Sequence, residues 1–443
     1  MYLKLALRNA KRSIFDYILY IFSMVMLTSI ICLSTSIANW GDVQAGFQTM
    51  ALPLLIAIIM VMLVNYINVF IVKQRAKEFA TYMLLGMRKD ILSWVFLSEL
   101  LVIGLICFIL GVALGVVVFC TFCYSILQGT GHQSMLQIIL KSVLQTFAYF
   151  CCVEILSILF MKQKIYKLQI VQLMNEKRRN QPLGVSKRAF WGWMCIVNLF
   201  FYVILLLAIS VMSNEMMSVS ISFISLPMLL CVFSFYKWLY AFIAFLRLSQ
   251  ANTLYQGNRL YQIAEMTTGS KSNANMNTIF CVCLIFSALS FTFGMLLINA
   301  NVHIYEWAKQ QWMGFLQIGI CIIFMIIYFS TISLLQIVDL KKAAKNIRLL
   351  FQMGKNRSEL KTLLYSQTLI KLFLPTLMAF VMLLLATPFI NYKLNVIFSA
   401  SLSLHNLIAK AIGCFIICFF ILYVCYFCVI CMINMRYIKF NVK

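Results

Sequence analysis

Residue types that do chemistry are sparse in this chain of 443 residues, and their spacing argues against catalysis. The 16 cysteines include a C-x-x-C pair at Cys120 and Cys123, neighbours at Cys151/Cys152 and Cys281/Cys283, and the series Cys425, Cys428, Cys431. All of these sit in apolar helical runs with no histidine or carboxylate clustered beside them. They act there as small hydrophobes and form neither a metal nor a redox centre. His132, His303 and His405 are far apart, in segments that read as solvated outer loops, and no H-E-x-x-H occurs. The stretch TTGSK at 267–271 imitates a phosphate loop but lacks the G-x-x-x-x-G-K-[ST] order that cradles phosphate. The chain is therefore not expected to bind a cofactor or catalyse a reaction by itself. Three ionisable residues fall inside apolar runs, Glu99, Glu154 and Lys237. Such groups are costly in a bilayer and are usually paired or functional, unless they snorkel to an interface. Glu154 and Lys237 are candidates for a buried pair. Gly111 and Gly115 form a G-x-x-x-G stripe, which suits close helix approach.

The elements that must position these residues are membrane helices. Hydrophobic residues make up 63% of the chain and charged residues 11%, against about 25% charged in soluble domains. Apolar runs of bilayer length recur ten times, at roughly 14–38, 52–72, 94–124, 142–161, 190–212, 219–246, 278–300, 313–338, 362–391 and 406–433. The first run follows Lys4, Arg8, Lys11 and Arg12 and is too long for the core of a signal peptide. The fold class is all-α, a polytopic integral membrane protein with about ten transmembrane helices.

The net charge of +24 is a topology signal and no sign of nucleic acid. One set of inter-span segments (4–12, 73–89, 162–188, 247–271, 341–371 and 436–443) holds 31 of the 36 Lys and Arg residues. The positive-inside rule puts these segments and both termini in the cytoplasm, beside anionic lipid heads.

The segment 73–100, KQRAKEFATYMLLGMRKDILSWVFLSEL, lies between the second and third runs. Phe79, Tyr82, Met83 and Leu84 alternate with Lys77, Glu78 and Thr81, the pattern of an amphipathic helix. Gly86 suits its C-terminal cap, and Trp94 suits the membrane interface. Its basic residues, Arg75 and Arg88 among them, keep it at the cytoplasmic surface. Sliding the chain by 268 residues sets 73–105 on 341–373, with identities that include Lys73/Lys341, Lys77/Lys345, Gly86/Gly354, Leu92/Leu360 and Ser98/Ser366. Lys89/Arg357 and Glu99/Gln367 are conservative exchanges, and Asn346 replaces Glu78. The chain thus divides as four spans (1–168), a two-span insert (169–278) and four spans (279–443), with parallel repeats. A second amphipathic helix is expected over about 342–357.

The stretch 73–115 resembles the FtsX-like permease domain of ABC transporters. The resemblance is carried by Arg75, Glu78, Phe79, Leu85, Gly86, Glu99, Gly111 and Gly115. The start LALRNAKRSIFDYILYIFSM (5–24) and the segment IYKLQIVQLMNEKRR after the fourth run are similar to the Bce-type peptide-resistance permeases. Only NANVHIYEWAKQQW (299–312) stands where that group carries a large outer domain. The resemblance implies a permease in the bacterial cell membrane that pairs with separate ATPase subunits, two copies, which hold the ATP and Mg. It implies ATPase coupling by Arg75, Glu78, Phe79, Gly86 and Arg88, and by Lys345, Gly354 and Arg357 in the second repeat. Its expected work is export, removal or sensing of a membrane-active ligand such as an antimicrobial peptide. The alternatives are a force-transmitting scaffold controlling a sensor histidine kinase or a cell-wall hydrolase, or a carrier independent of any ATPase.

Overall fold

A computed structural model of the chain describes residues 14–39, 52–126, 132–166, 188–211, 217–249, 259–267, 270–299, 307–397 and 404–441. Every element among them is a helix: α1 (Ile14–Asn39), α2 (Leu52–Gln74), α3 (Ala76–Leu84), α4 (Lys89–Ile126), α5 (His132–Tyr166), α6 (Arg188–Val211), α7 (Met217–Ser249), α8 (Arg259–Thr267), α9 (Ser270–Ile298), α10 (Trp307–Gln352), α11 (Arg357–Ile397) and α12 (Leu404–Asn441). The ten long helices coincide with the ten apolar runs, and α3 and α8 are short connectors of nine residues each. Among the described residues eight helices are long and apolar enough to cross a membrane, and Tyr20–Ser36 is a shorter apolar stretch. Rows of large apolar side chains such as Leu105, Ile109, Leu114 and Val118 on α4 face outward, a surface that only lipid could cover on this scale. The chain is an all-α, multi-pass membrane protein.

The chain forms two compact units, one of residues 1–182 with 215–226, the other of 183–214 with 227–443. In the first unit α1 is the central helix and packs on α2, α4 and α5. It is buried on several sides, with Tyr20, Met24, Leu27, Thr28, Ile31 and Cys32 all sealed, as an apolar helix with no wet face must be. The G-x-x-x-G stripe of α4 lies on α1. A Cβ on Gly115 would stand 2.8 Å from the Cβ of Cys32, and one on Gly111 would meet Thr28. Polar residues of α5 run down the same core. Thr146 meets Thr35 at 3.1 Å, Ser142 accepts from Asn39 at 3.0 Å, and Ser157 accepts from Asn68 at 3.0 Å. Interhelical bonds of this kind contribute about 0.6 kcal/mol each inside a membrane.

In the second unit α9 is central and packs on α10, α11 and α12. Its glycine seam lies elsewhere than in the first unit, between Gly294 of α9 and Gly314 of α10, where each added Cβ would stand 3.0–3.1 Å from the other's carbonyl. Aromatic rings knit α10 to α12: Phe329 stacks on Phe419, and Tyr426 bonds Ser333 at 2.9 Å. The helices α7 and α11 run through their internal prolines, Pro227 in the first and Pro375 and Pro388 in the second.

Candidate functional site

The basic segment between α2 and α4 is built around one change of direction. Helix α2 stops at Gln74, and Arg75 adopts φ −92 and ψ 13 before α3 begins. Helical hydrogen bonding carries across this joint, Arg75 N–H to the Ile71 carbonyl at 2.9 Å and Phe79 N–H to the Arg75 carbonyl at 3.1 Å. The helix α3 presents Phe79, Ala80 and Met83 inward, all buried, and Phe79 meets Phe96 of α4 edge-on at 5.5 Å. Glu78, Thr81, Leu84 and Leu85 face outward, the two leucines 63% and 79% exposed. Leu84 therefore departs from the apolar stripe expected of it, because the chain is already turning at that point. The outward side of α3 is thus both charged and apolar.

The turn that follows closes with a Schellman pair. Gly86 N–H donates to the Met83 carbonyl at 3.1 Å and Met87 N–H to the Tyr82 carbonyl at 3.0 Å, with Gly86 at φ +90. The same pattern recurs 268 residues later. Gly354 N–H donates to Phe351 at 3.0 Å, Lys355 N–H to Leu350 at 3.1 Å, and Gly354 lies at φ +92. The capping residue is almost fully exposed in both, Leu85 at 79% and Met353 at 80%. Both turns hand over to the next long helix identically, Leu92 N–H bonding Arg88 and Leu360 N–H bonding Asn356, each at 3.1 Å. Leu92 and Leu360 are buried.

What precedes the two turns differs. The helix expected over about 342–357 is helical through Gln352, as the end of α10, which runs unbroken from Trp307, and the turn at Gly354 follows it. At about 1.5 Å per residue, the 19 residues past the apolar stretch that ends at Ser333 extend roughly 28 Å beyond it. Lys345 lies in this extension, and its side chain is outside the described residues. Arg357 and Arg88 are exposed, and the Arg357 guanidinium stands 5.6 Å from the Phe351 ring centroid.

The charged centre of the first site joins two residues that sequence reasoning had treated separately. Arg75 is turned inward and only 6% exposed, and its Nη1 lies 2.9 Å from both carboxylate oxygens of Glu99, itself 2% exposed. Its Nε donates to Glu78 at 2.9 Å, and its guanidinium stands 5.6 Å from the Phe79 ring. Arg75, Phe79, Tyr82, Met87, Leu92, Val95, Phe96 and Glu99 line one small pocket. The arrangement fastens α3 to the wall of α4 about 15 Å along that helix, ten residues from Lys89. It has no counterpart in the second repeat, where Ala343 stands for Arg75 and Gln367 for Glu99. That joint loss of both charges is the sequence signal that pairs them.

The other intramembrane charges find aromatic neighbours within their own units. Glu154 is 5% exposed, accepts a bond from the Tyr20 hydroxyl at 3.2 Å, and lies over Gly104, where a Cβ would stand 2.7 Å from its Oε1. Lys237 holds its ammonium 5.2 Å from the Phe233 ring centroid. Among the described residues no three His, Cys, Asp or Glu gather as a metal site would require.

No curated protein matches the chain. Residues 50–170, the stretch that contains α2 to α5 with the Arg75–Glu99 pair and the turn at Gly86, match the family described as FtsX-like permease C-terminal, and this match supports a likeness of the three spans α2, α4 and α5 to the FtsX-like permeases.

Proposed function

We propose that the chain is the membrane-spanning subunit of an ABC transporter and that a separate ATPase grips the turn after α3. The observation that carries this reading is the pairing of a rigid base with an exposed tip. The Arg75–Glu99 bond and the Phe79–Phe96 contact fix α3 on α4, while Leu84 and Leu85 stand in the open beside Glu78 and Arg88. Exposed apolar side chains on a fixed, charged turn suit a protein partner, because a lipid-facing helix has no use for the charges and a free loop has no use for the leucines. The turn at Gly354, with Met353 exposed, serves a second ATPase copy.

In this reading ATP and Mg belong to the ATPase subunits. The basic segments and both termini lie in the cytoplasm, and the membrane is the bacterial cell membrane. Closure of the ATPase pair moves the two turns, and α4 and α11 carry the movement through the bilayer. Phe79 and Gly86 shape the first handle, Glu78 and Arg88 meet the partner's charges, and Lys345, Gly354 and Arg357 form the second handle. The ligand is a membrane-active molecule such as an antimicrobial peptide, by resemblance to the Bce-type permeases. A second reading, a scaffold that passes force to a sensor histidine kinase or a cell-wall hydrolase, is favoured by the outer side. Only residues 299–306 separate α9 from α10, too few to form a capture domain.

The test is to purify the chain from its native cells in mild detergent and identify its companions. Leu85→Asp, at an exposed position where stability changes stay within about 0.5 kcal/mol, is expected to lose a co-purifying ATPase that the native chain retains. Retention of the ATPase by that variant, or its absence from the native sample, would overturn the reading.

A further inference from the structure

The two repeats differ in what holds the long helix after each turn. In the first unit α3 itself is locked to α4 through Glu99. In the second unit the corresponding position on α11 is Gln367, and Ala343 has no group to reach it. The neighbouring serine keeps its role in both: Ser98 donates to the Val95 carbonyl and Ser366 to the Leu363 carbonyl, each at 2.9 Å. Ser366 in addition accepts a bond from Gln262 of α8 at 2.6 Å. At its other end α8 is held by α7, since the Arg247 guanidinium donates to Thr267 at 2.8 Å. The described side chains of α8, those of 261–264, 266 and 267, are buried or half-buried. Thr267 is buried and caps the bridge.

We propose that α8 is a strap that ties α11 to α7 at the level where α3 is locked to α4 in the first unit. The start of the second long helix is then held by α8 through a neutral hydrogen bond, beside the packing of α6 and the bond from Tyr236 of α7 to the Leu374 carbonyl farther along, where the start of the first is held through a buried ion pair. A neutral side-chain bond is weaker than a charge-assisted one, so at this level the start of α11 carries the weaker fastening. Its use in ATP-driven movement rests on the function proposed above; the strap itself does not.

The experiment is hydrogen–deuterium exchange on the full chain alone in lipid nanodiscs, with Gln262→Ala, Ser366→Ala and the double variant. Each single change is expected to raise exchange about fivefold over 259–267 and over 357–366, the double variant no further than either single, with 76–84 unchanged. Additive effects of the two changes, or faster exchange in α8 without any change in the start of α11, would overturn the strap. So would an equal rise over 76–84, which would show general loosening. A cross-linked Gln262→Cys/Ser366→Cys chain is expected to exchange more slowly than the native one over both segments, and no slowing would count against it. No ATPase is present, so the strap can stand or fall apart from the transporter reading.

Discussion

At the scale of residues, Arg75 has partners that composition does not give. Its charge lies in the segment that sequence reasoning offers to a partner, yet the guanidinium is consumed internally by Glu99 and Glu78. Nothing in a linear pattern connects positions 75 and 99, because their pairing depends on where α3 folds against α4. The one legible clue is the repeat, in which both charges vanish together at Ala343 and Gln367. Removing one partner of a buried pair leaves an uncompensated charge, which costs about 3–5 kcal/mol. Glu99→Gln is expected near 3 kcal/mol, since Glu78 still meets the Nε of Arg75. Arg75→Ala combined with Glu99→Gln, the residues of the second repeat, is expected to recover most of that loss. Thermal unfolding in detergent measures both. A single variant as stable as the native chain would show that the pair contributes nothing. At Gly86 the space around an added Cβ is open, so only the backbone at φ +90 opposes substitution. Gly86→Ala is expected to cost about 1–2 kcal/mol locally, read as faster amide exchange at the end of α3, and Gly86→Asn less.

At the scale of elements, span positions were legible because a bilayer demands about 20 apolar residues and nothing else in the chain supplies them. All ten runs became helices, and several helices overrun them, as α10 does from about 338 to Gln352. The G-x-x-x-G stripe was legible as a close-approach surface, and it does lie on another helix of the chain, α1. Less visible was the difference between a broken and an unbroken basic segment. Residues 73–84 and 341–352 share composition, yet α2 ends at Gln74 while α10 continues. The joint at Arg75 is secured by tertiary contacts, the ion pair and Phe79 against Phe96, and those contacts are absent from any periodicity. The glycine seams also could not be transferred between repeats, since Ala379 and Leu383 stand where Gly111 and Gly115 are in the first. Gly115→Leu is expected to force α1 off α4, costing at least the 1–3 kcal/mol typical of overpacking. Gly413→Ala, with nothing within 4 Å of the added Cβ, is expected to be neutral or slightly stabilising. Midpoints of thermal unfolding decide between them, and equal midpoints would contradict a tight seam.

At the scale of the molecule, the two units present the same capped turn on differently built supports. One rests on a short helix locked by charge, the other on the end of a helix that crosses its whole unit. The first turn is bonded to α4 through Arg75 and Glu99, and the second follows directly from the end of α10. The central claim is that the exposed tips at Leu85 and Met353 meet a cytosolic ATPase. The most direct test is site-specific photocross-linking in native cells, with a photoreactive phenylalanine at 85, at 353 and, as a lipid-facing comparison, at Trp94, which is 66% exposed. Cross-links from 85 and 353 to a polypeptide that mass spectrometry identifies as an ABC ATPase, with none from 94, are the predicted result. Capture of lipid alone at 85 and 353 would contradict the account and leave the two turns as membrane-surface anchors.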